Sequence, residues 1–251
     1  METVLILHGW GRFTGSWTSV KDRLEKQGHR VFYPPLPGLD ENQPLDKPWA
    51  IDDYVEWVKT YANKNGLDNF FLLGHSFGGR LAIKFAVKYP EKLRGLILVS
   101  AAGIRDKKIS KIYNLFAKVA KVINKLSCLP GYKFCRKFFY RFVLRKTDYV
   151  TLETQVMKDT FKNVIEQDLT DYLAQIKTPA LILWGGKDMT TPLGDGEFMA
   201  KMIPGSLLRV IPGAPHMIHI FAPEKVSQEI LGFCQTILNS DLINNDYHLR
   251  K

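Results

Sequence analysis

Short apolar runs alternate along this chain with longer stretches in which apolar residues recur every three or four positions. Val4 to Leu7, Phe70 to Leu73, Leu96 to Ser100, Ala180 to Trp184 and Leu207 to Ile211 have the length and near-continuous apolarity of strands buried in a parallel sheet. His29 to Tyr33 adds a sixth strand pattern. Between them, Trp17, Val20 and Leu24 sit at helical spacing, as do Ile51, Tyr54, Val55, Val58 and Ala62, where Asn65-Gly66 closes the helix. Further helical patterns cover Arg80 to Tyr89, Glu197 to Met202 and about Pro223 to Leu238. Strands alternating with helices across short connections predict βαβ units. The expected fold is therefore α/β, a doubly wound, mostly parallel sheet of about six strands.

Residues 103–170 break this rhythm, being helical in pattern and without a strand run. They predict a helical cap inserted at the carboxyl ends of the strands, where ligands bind in open α/β sheets. The expected division is a core of 1–102 and 171–238, a cap of 103–170, and a loosely held polar tail of 239–251.

With 251 residues, 45% hydrophobic and 24% charged, the chain can bury one sizeable core. No apolar run approaches the ~18 residues of a transmembrane segment. Met1-Glu2-Thr3 is not the basic start of a secretion signal, so a cytoplasmic location is expected. Cys128, Cys135 and Cys234 form neither an even disulfide set nor a CxxC pair. They read as small core residues, and no metal or cofactor is implied.

Charge changes the picture more. The net charge is +10, and residues 105–168 hold fifteen Lys or Arg against six Asp or Glu, while the remainder is almost balanced. Ile109, Ile112, Phe116, Val119, Ile123 and Leu126 form one helical face, with Lys108, Lys111, Lys118, Lys121 and Lys125 around it. Two readings stand: an apolar roof with solvated lysines, or a surface for an acidic carrier protein or an anionic lipid surface. Nucleic acid is the weakest partner, because no recognition fold accompanies the charge.

The candidate chemistry centres on Gly74-His75-Ser76-Phe77-Gly78-Gly79, between a strand pattern and a helical one. A lone GxSxG arises by chance in roughly one such chain in ten, so the strand–turn–helix placement carries the argument. It is the sequence form of a nucleophile elbow, with Ser76 as nucleophile. Asp188 lies just past the Ala180 to Trp184 strand, in Trp184-Gly185-Gly186-Lys187-Asp188, and His216 in the loop after the next strand. The order Ser, acid, His is that of a triad on this fold. Asp195 competes with Asp188, and His219 with His216. The backbone N–H groups of Phe77 and of Trp10, in His8-Gly9-Trp10-Gly11, are the expected oxyanion hole. Trp10, Phe77 and His75 are the expected substrate-binding side chains, the first two walling a pocket for an apolar acyl group, while His75 either packs beside the elbow or lines the pocket. His8 is expected to brace its loop.

With HGWG, GHSFGG, WGGKD and GAPH in this order, the chain resembles the α/β-hydrolase superfamily over nearly its full length. The resemblance implies a serine hydrolase that acts on a small acyl ester through an acyl-enzyme. Hydrolysis of a carbon–carbon bond in dienoic ketones, or a non-catalytic receptor on the same fold, are the alternatives. Ser76 disfavours members with an aspartate nucleophile. Against the family pattern, the sequence is expected to start at the third strand, without the customary N-terminal hairpin, and it reads Gly-Ala-Pro before the histidine. HGWG and the basic cap are also similar to the carboxylesterases that demethylate pimeloyl groups on acyl carrier protein.

Overall fold

A computed structural model describes residues 2–11, 15–104 and 154–249, with side chains described to residue 240. The elements are β1 (Thr3–Leu7), α1 (Thr18–Lys26), β2 (Arg30–Phe32), α2 (Ile51–Lys64), β3 (Phe70–His75), α3 (Phe77–Lys88) and β4 (Leu93–Val99). After residues 105–153, which hold most of the expected cap and lie outside the described residues, come α4 (Gln155–Glu166), α5 (Thr170–Leu173) and β5 (Ala180–Gly185). Then follow α6 (Leu193–Met202), β6 (Leu207–Ile211), α7 (Ile218–Phe221) and α8 (Pro223–Leu249).

All six strand patterns form strands, and they join one parallel sheet in the order β2-β1-β3-β4-β5-β6. Parallel pairing needs crossovers, which is why each neighbour is reached through a helix. Successive residues of a strand point to opposite faces, so one continuous apolar run feeds two cores. Leu5, Leu7, Leu72, Leu98, Ile182 and Trp184 pack with α2, α3 and α6. Val4, Ile6, Leu73, Val99 and Leu183 pack with α1 and α8. The two-sided core explains why the strands read as uninterrupted hydrophobic sequence.

Local signals set the helix ends. The N–H of Ala50 donates to the Asp53 carboxylate at 2.7 Å, opening α2. Gly66, at φ 64°, reverses the chain after it, and the Leu67 N–H returns to the Ala62 carbonyl at 2.9 Å. The last helix departs from expectation. The pattern ends near Leu238, yet α8 continues to Leu249 as one helix. Residues 239–249 are polar but contain neither Pro nor Gly, so nothing in them stops helix propagation.

Of the expected cap, α4 is described, and it is tied to the core. The Trp49 N–H donates to Thr160 Oγ1 at 3.0 Å, and Arg80 of α3 donates to the carbonyls of Val164 and Gln167 at 3.2 and 2.8 Å. Met157, Phe161 and Val164 are buried by this contact. Cys234 is buried in the α8 side of the core, and Cys128 and Cys135 lie outside the described residues. Among the described residues no helix is long and apolar enough to cross a membrane.

Candidate active site

The end of β3 and the start of α3 meet in a turn that only this sequence pattern permits. Ser76 has φ 51° and ψ −111°, a conformation L-residues avoid. Its backbone is held on both sides. The Ser76 N–H donates to the Val99 carbonyl at 3.2 Å, and its carbonyl accepts from Gly79 at 3.0 Å and Ala102 at 2.9 Å. A Cβ on Gly74 would collide with the Gly78 carbonyl, and one on Gly78 with the Leu7 carbonyl. Glycine is required there by the close approach of β1, β3 and α3.

Phe77 is the first residue of α3, so its N–H has no acceptor within the helix. The 8–11 loop runs against the same turn: a Cβ on Gly9 would sit 3.4 Å from Ser76 Cβ. This brings Trp10 beside Phe77, ring centroids 5.0 Å apart. Phe161 of α4 meets the Trp10 ring at 4.9 Å, and Tyr54 meets Phe77 at 5.2 Å. These contacts make an aromatic cluster beside the turn, which includes Phe161 and the fully buried Tyr54, neither of which the sequence reading placed near the site. His8 braces the loop as expected. Its Nδ1 lies 2.8 Å from the Gly9 carbonyl, and its Nε2 accepts from the Leu36 N–H at 2.9 Å. Burial lowers His8 to about 4, so it stays neutral.

The loops after β5 and β6 bring Asp188 and His216 together: Asp188 Oδ2 lies 2.8 Å from His216 Nδ1. The other carboxylate oxygen, Oδ1, accepts the N–H groups of Thr190 and Thr191 at 2.8 and 2.9 Å. Burial alone would raise Asp188, but the His216 contact and these N–H bonds outweigh it and hold the carboxyl at about 2. Asp195, the competing carboxylate, sits in the first turn of α6. His219, the competing imidazole, is fully buried and stacked on Trp17 at 4.2 Å, with Nε2 3.2 Å from Ser16 Oγ. Burial, and then His216, lower His219 to about 3.

Of the two places expected for His75, the structure has the ring packed beside the elbow. It is 2% exposed, because its ring is enclosed by Trp17, His216 and His219, and its Nε2 lies 3.4 Å from the His216 carbonyl. It supports the His216 loop from within the protein. Burial, then the two neighbouring imidazoles, hold it well below the ordinary histidine range.

The sequence reading also passed over Thr191. It is buried, and its hydroxyl lies 2.9 Å from Asp188 Oδ2 and 3.2 Å from His216 Nδ1. The signal was available in Asp188-Met189-Thr190-Thr191-Pro192, where an Asp two and three residues before threonines forms a turn whose carboxylate accepts their N–H groups.

A protein-family model described as serine aminopeptidase, S33, matches residues 1–222. A 2-hydroxy-6-oxononadienedioate/2-hydroxy-6-oxononatrienedioate hydrolase from a Pseudomonas species is 24% identical, over 92% of this chain and 87% of its own. Lipase 1 of Psychrobacter immobilis is 26% identical, over 92% of this chain and 76% of its own. Among solved structures, a thermophilic esterase from Thermogutta terrifontis superposes with a TM-score of 0.72 at 27% identity, covering 94% of this chain and 90% of that one.

Proposed function

This chain belongs to the S33 family of α/β hydrolases, and from that premise we propose that it is a serine hydrolase cleaving carboxylic esters through an acyl-enzyme. The observation that carries the reading is the 2.8 Å contact between Asp188 and His216, on the sheet edge where Ser76 adopts its strained turn. In this reading Ser76 Oγ attacks the ester carbonyl carbon and its proton passes to His216 Nε2. Asp188 accepts the Nδ1 hydrogen, which fixes the tautomer and stabilises the imidazolium. The oxyanion of the tetrahedral intermediate is held by the N–H groups of Phe77 and Trp10. Collapse breaks the bond to the alcohol oxygen, which leaves with the proton from His216. Water then attacks the acyl-Ser76 by the same steps and releases the acid.

The aromatic wall of Trp10, Phe77 and Phe161 suits an apolar acyl group. The basic stretch 105–168 would draw the enzyme to an acidic carrier or an anionic lipid surface. Two measurements test this reading. A fluorophosphonate should label Ser76 alone, and labelling elsewhere removes the assignment. A panel of p-nitrophenyl esters, thioesters, monoacylglycerols, a dienoic ketone and an aminoacyl amide should show ester turnover. Cleavage of the dienoic ketone with no ester turnover would favour carbon–carbon bond hydrolysis, the reaction class named for the Pseudomonas relative.

A further inference from the structure

The Thr191 hydroxyl has one proton and three polar neighbours. Asp188 Oδ2 is at 2.9 Å, His216 Nδ1 at 3.2 Å and the Ser100 carbonyl at 3.2 Å. The carboxylate is the stronger acceptor, being charged and closer, so the hydroxyl donates to Oδ2. Its lone pairs then face the Nδ1 hydrogen of His216, which Oδ2 also accepts. Asp188 Oδ2 is thus shared between two donors. Ser100 belongs to the segment that holds the nucleophile, since Val99 and Ala102 bond the Ser76 backbone. Ser100 itself has φ 42° and is fully buried, so this segment has little freedom to adjust. Thr191 therefore stands where the strand end that holds Ser76 meets the Asp188–His216 pair.

We propose that Thr191 is a positioning residue: its hydroxyl shares Asp188 Oδ2 with His216 and registers that pair against the strand end that holds Ser76. This rests on the assignment of Ser76, His216 and Asp188 above. Three titratable groups face His216: Asp188 from the loop after β5, His75 from the end of β3 and His219 from α7. Burial keeps both histidines neutral, leaving Asp188 as the charge in contact with the ring. The Thr191 hydroxyl partly neutralises that charge. Without it, more of the carboxylate charge falls on the imidazole, the protonated ring is favoured, and a higher pH is needed to free the base.

Thr191→Val keeps the shape and removes the hydroxyl; Thr191→Ser returns it. In Thr191→Val the acid limb of kcat/KM for p-nitrophenyl butyrate should move up by roughly half a pH unit or more, with KM little changed. Thr191→Ser should restore the limb. The same upward movement should appear in the NMR titration of the His216 ring in a Ser76→Ala background, its signal assigned by loss in His216→Gln. That readout needs no turnover. If the wild type neither labels at Ser76 nor cleaves esters, the functional reading fails, and the NMR titration still decides the role of Thr191. If Thr191→Val does not fold, Thr191→Ala serves in the same measurement. A folded variant whose His216 titration is unmoved, or moves to lower pH, overturns the inference and leaves Thr191 a structural residue.

Discussion

Asp188 Oδ2 and His216 Nδ1 are 2.8 Å apart, with the carboxylate side chain wholly buried and the imidazole 15% exposed. Because Oδ1 is taken by two backbone N–H groups, this carboxylate has a fixed sense: one oxygen is held by the loop backbone, and the other faces His216 and the Thr191 hydroxyl.

That asymmetry sharpens the outcome of Asp188→Asn. The amide oxygen must face the Thr190 and Thr191 N–H groups, which turns the NH2 toward His216 Nδ1. The ring is then forced into the tautomer protonated on Nε2, which cannot accept a proton from Ser76. Ester turnover should fall by about 10³–10⁴ while circular dichroism stays unchanged. Asp195→Asn should remain within a few-fold of wild type. Steady-state kinetics of the two variants check the assignment, and the reverse pattern would transfer it to Asp195.

Acid should destabilise the fold in two stages. His8 and His219 are held neutral, at about 4 and about 3 against 6.5 when unfolded. Below 6.5 the unfolded chain binds protons that the native one refuses, so stability falls as pH drops from 6.5 toward those values. Asp188, at about 2 against 3.8, contributes stability above 3.8 that is lost as pH falls toward 2. Calorimetry from pH 7 to 3 should show Tm declining from the first half-unit below 6.5, with a flatter slope in His8→Gln. A Tm constant between pH 7 and 5 would contradict the neutral burial of these rings.

The glycines separate into required and replaceable positions. Gly78→Ala would place a methyl on the Leu7 backbone carbonyl, which β1 cannot yield, so soluble folded protein or all activity should be lost. Gly232→Ala, in α8 where the new Cβ would meet nothing beyond its own helix backbone within 4 Å, should instead stabilise by about 0.5–1 kcal/mol. Thermal melts of both variants provide the comparison.

The local patterns that made the fold legible were short continuous apolar runs and period-3.6 apolarity, because both cores are built from them. Gly74-x-Ser76-x-Gly78 was legible because steric exclusion at a tight crossing leaves one residue type possible. The meeting of Phe161 and Tyr54 with Trp10 and Phe77 was not, since an aromatic on a helical face reads the same whichever neighbours it packs against. For His75 the sequence left packing beside the elbow and lining the pocket both open, because adjacency to Ser76 does not say which way the ring turns; the ring packs against Trp17, His216 and His219. The length of α8 was missed because polarity was taken as a stop signal, whereas only Pro, Gly or capping chemistry ends a helix.

The surplus of positive charge in 105–168 should act on partners and leave bond cleavage alone. Salt near 0.15 M screens over roughly 8 Å, so Lys111, Lys118 and Lys125 changed to Gln should leave p-nitrophenyl butyrate turnover within a few-fold. Activity on an acidic acyl carrier or on anionic vesicles should drop much further and should fall with added salt. Equal losses on neutral and anionic substrates would return these lysines to solvated surface.

The pairing of β4 with β5, Leu98 beside Ile182, closes a loop that contains the whole insertion. The entropy of closing such a loop grows only with the logarithm of its length, about 0.6 kcal/mol for each doubling. Lengthening or shortening the insertion therefore changes global stability very little, provided its ends stay anchored as Arg80 and Gly103 anchor the returning strand of chain. On the proposed reading, one such segment can be traded for another and recognition changed with it, while β3, β5 and β6, which lead into Ser76, Asp188 and His216, are left untouched.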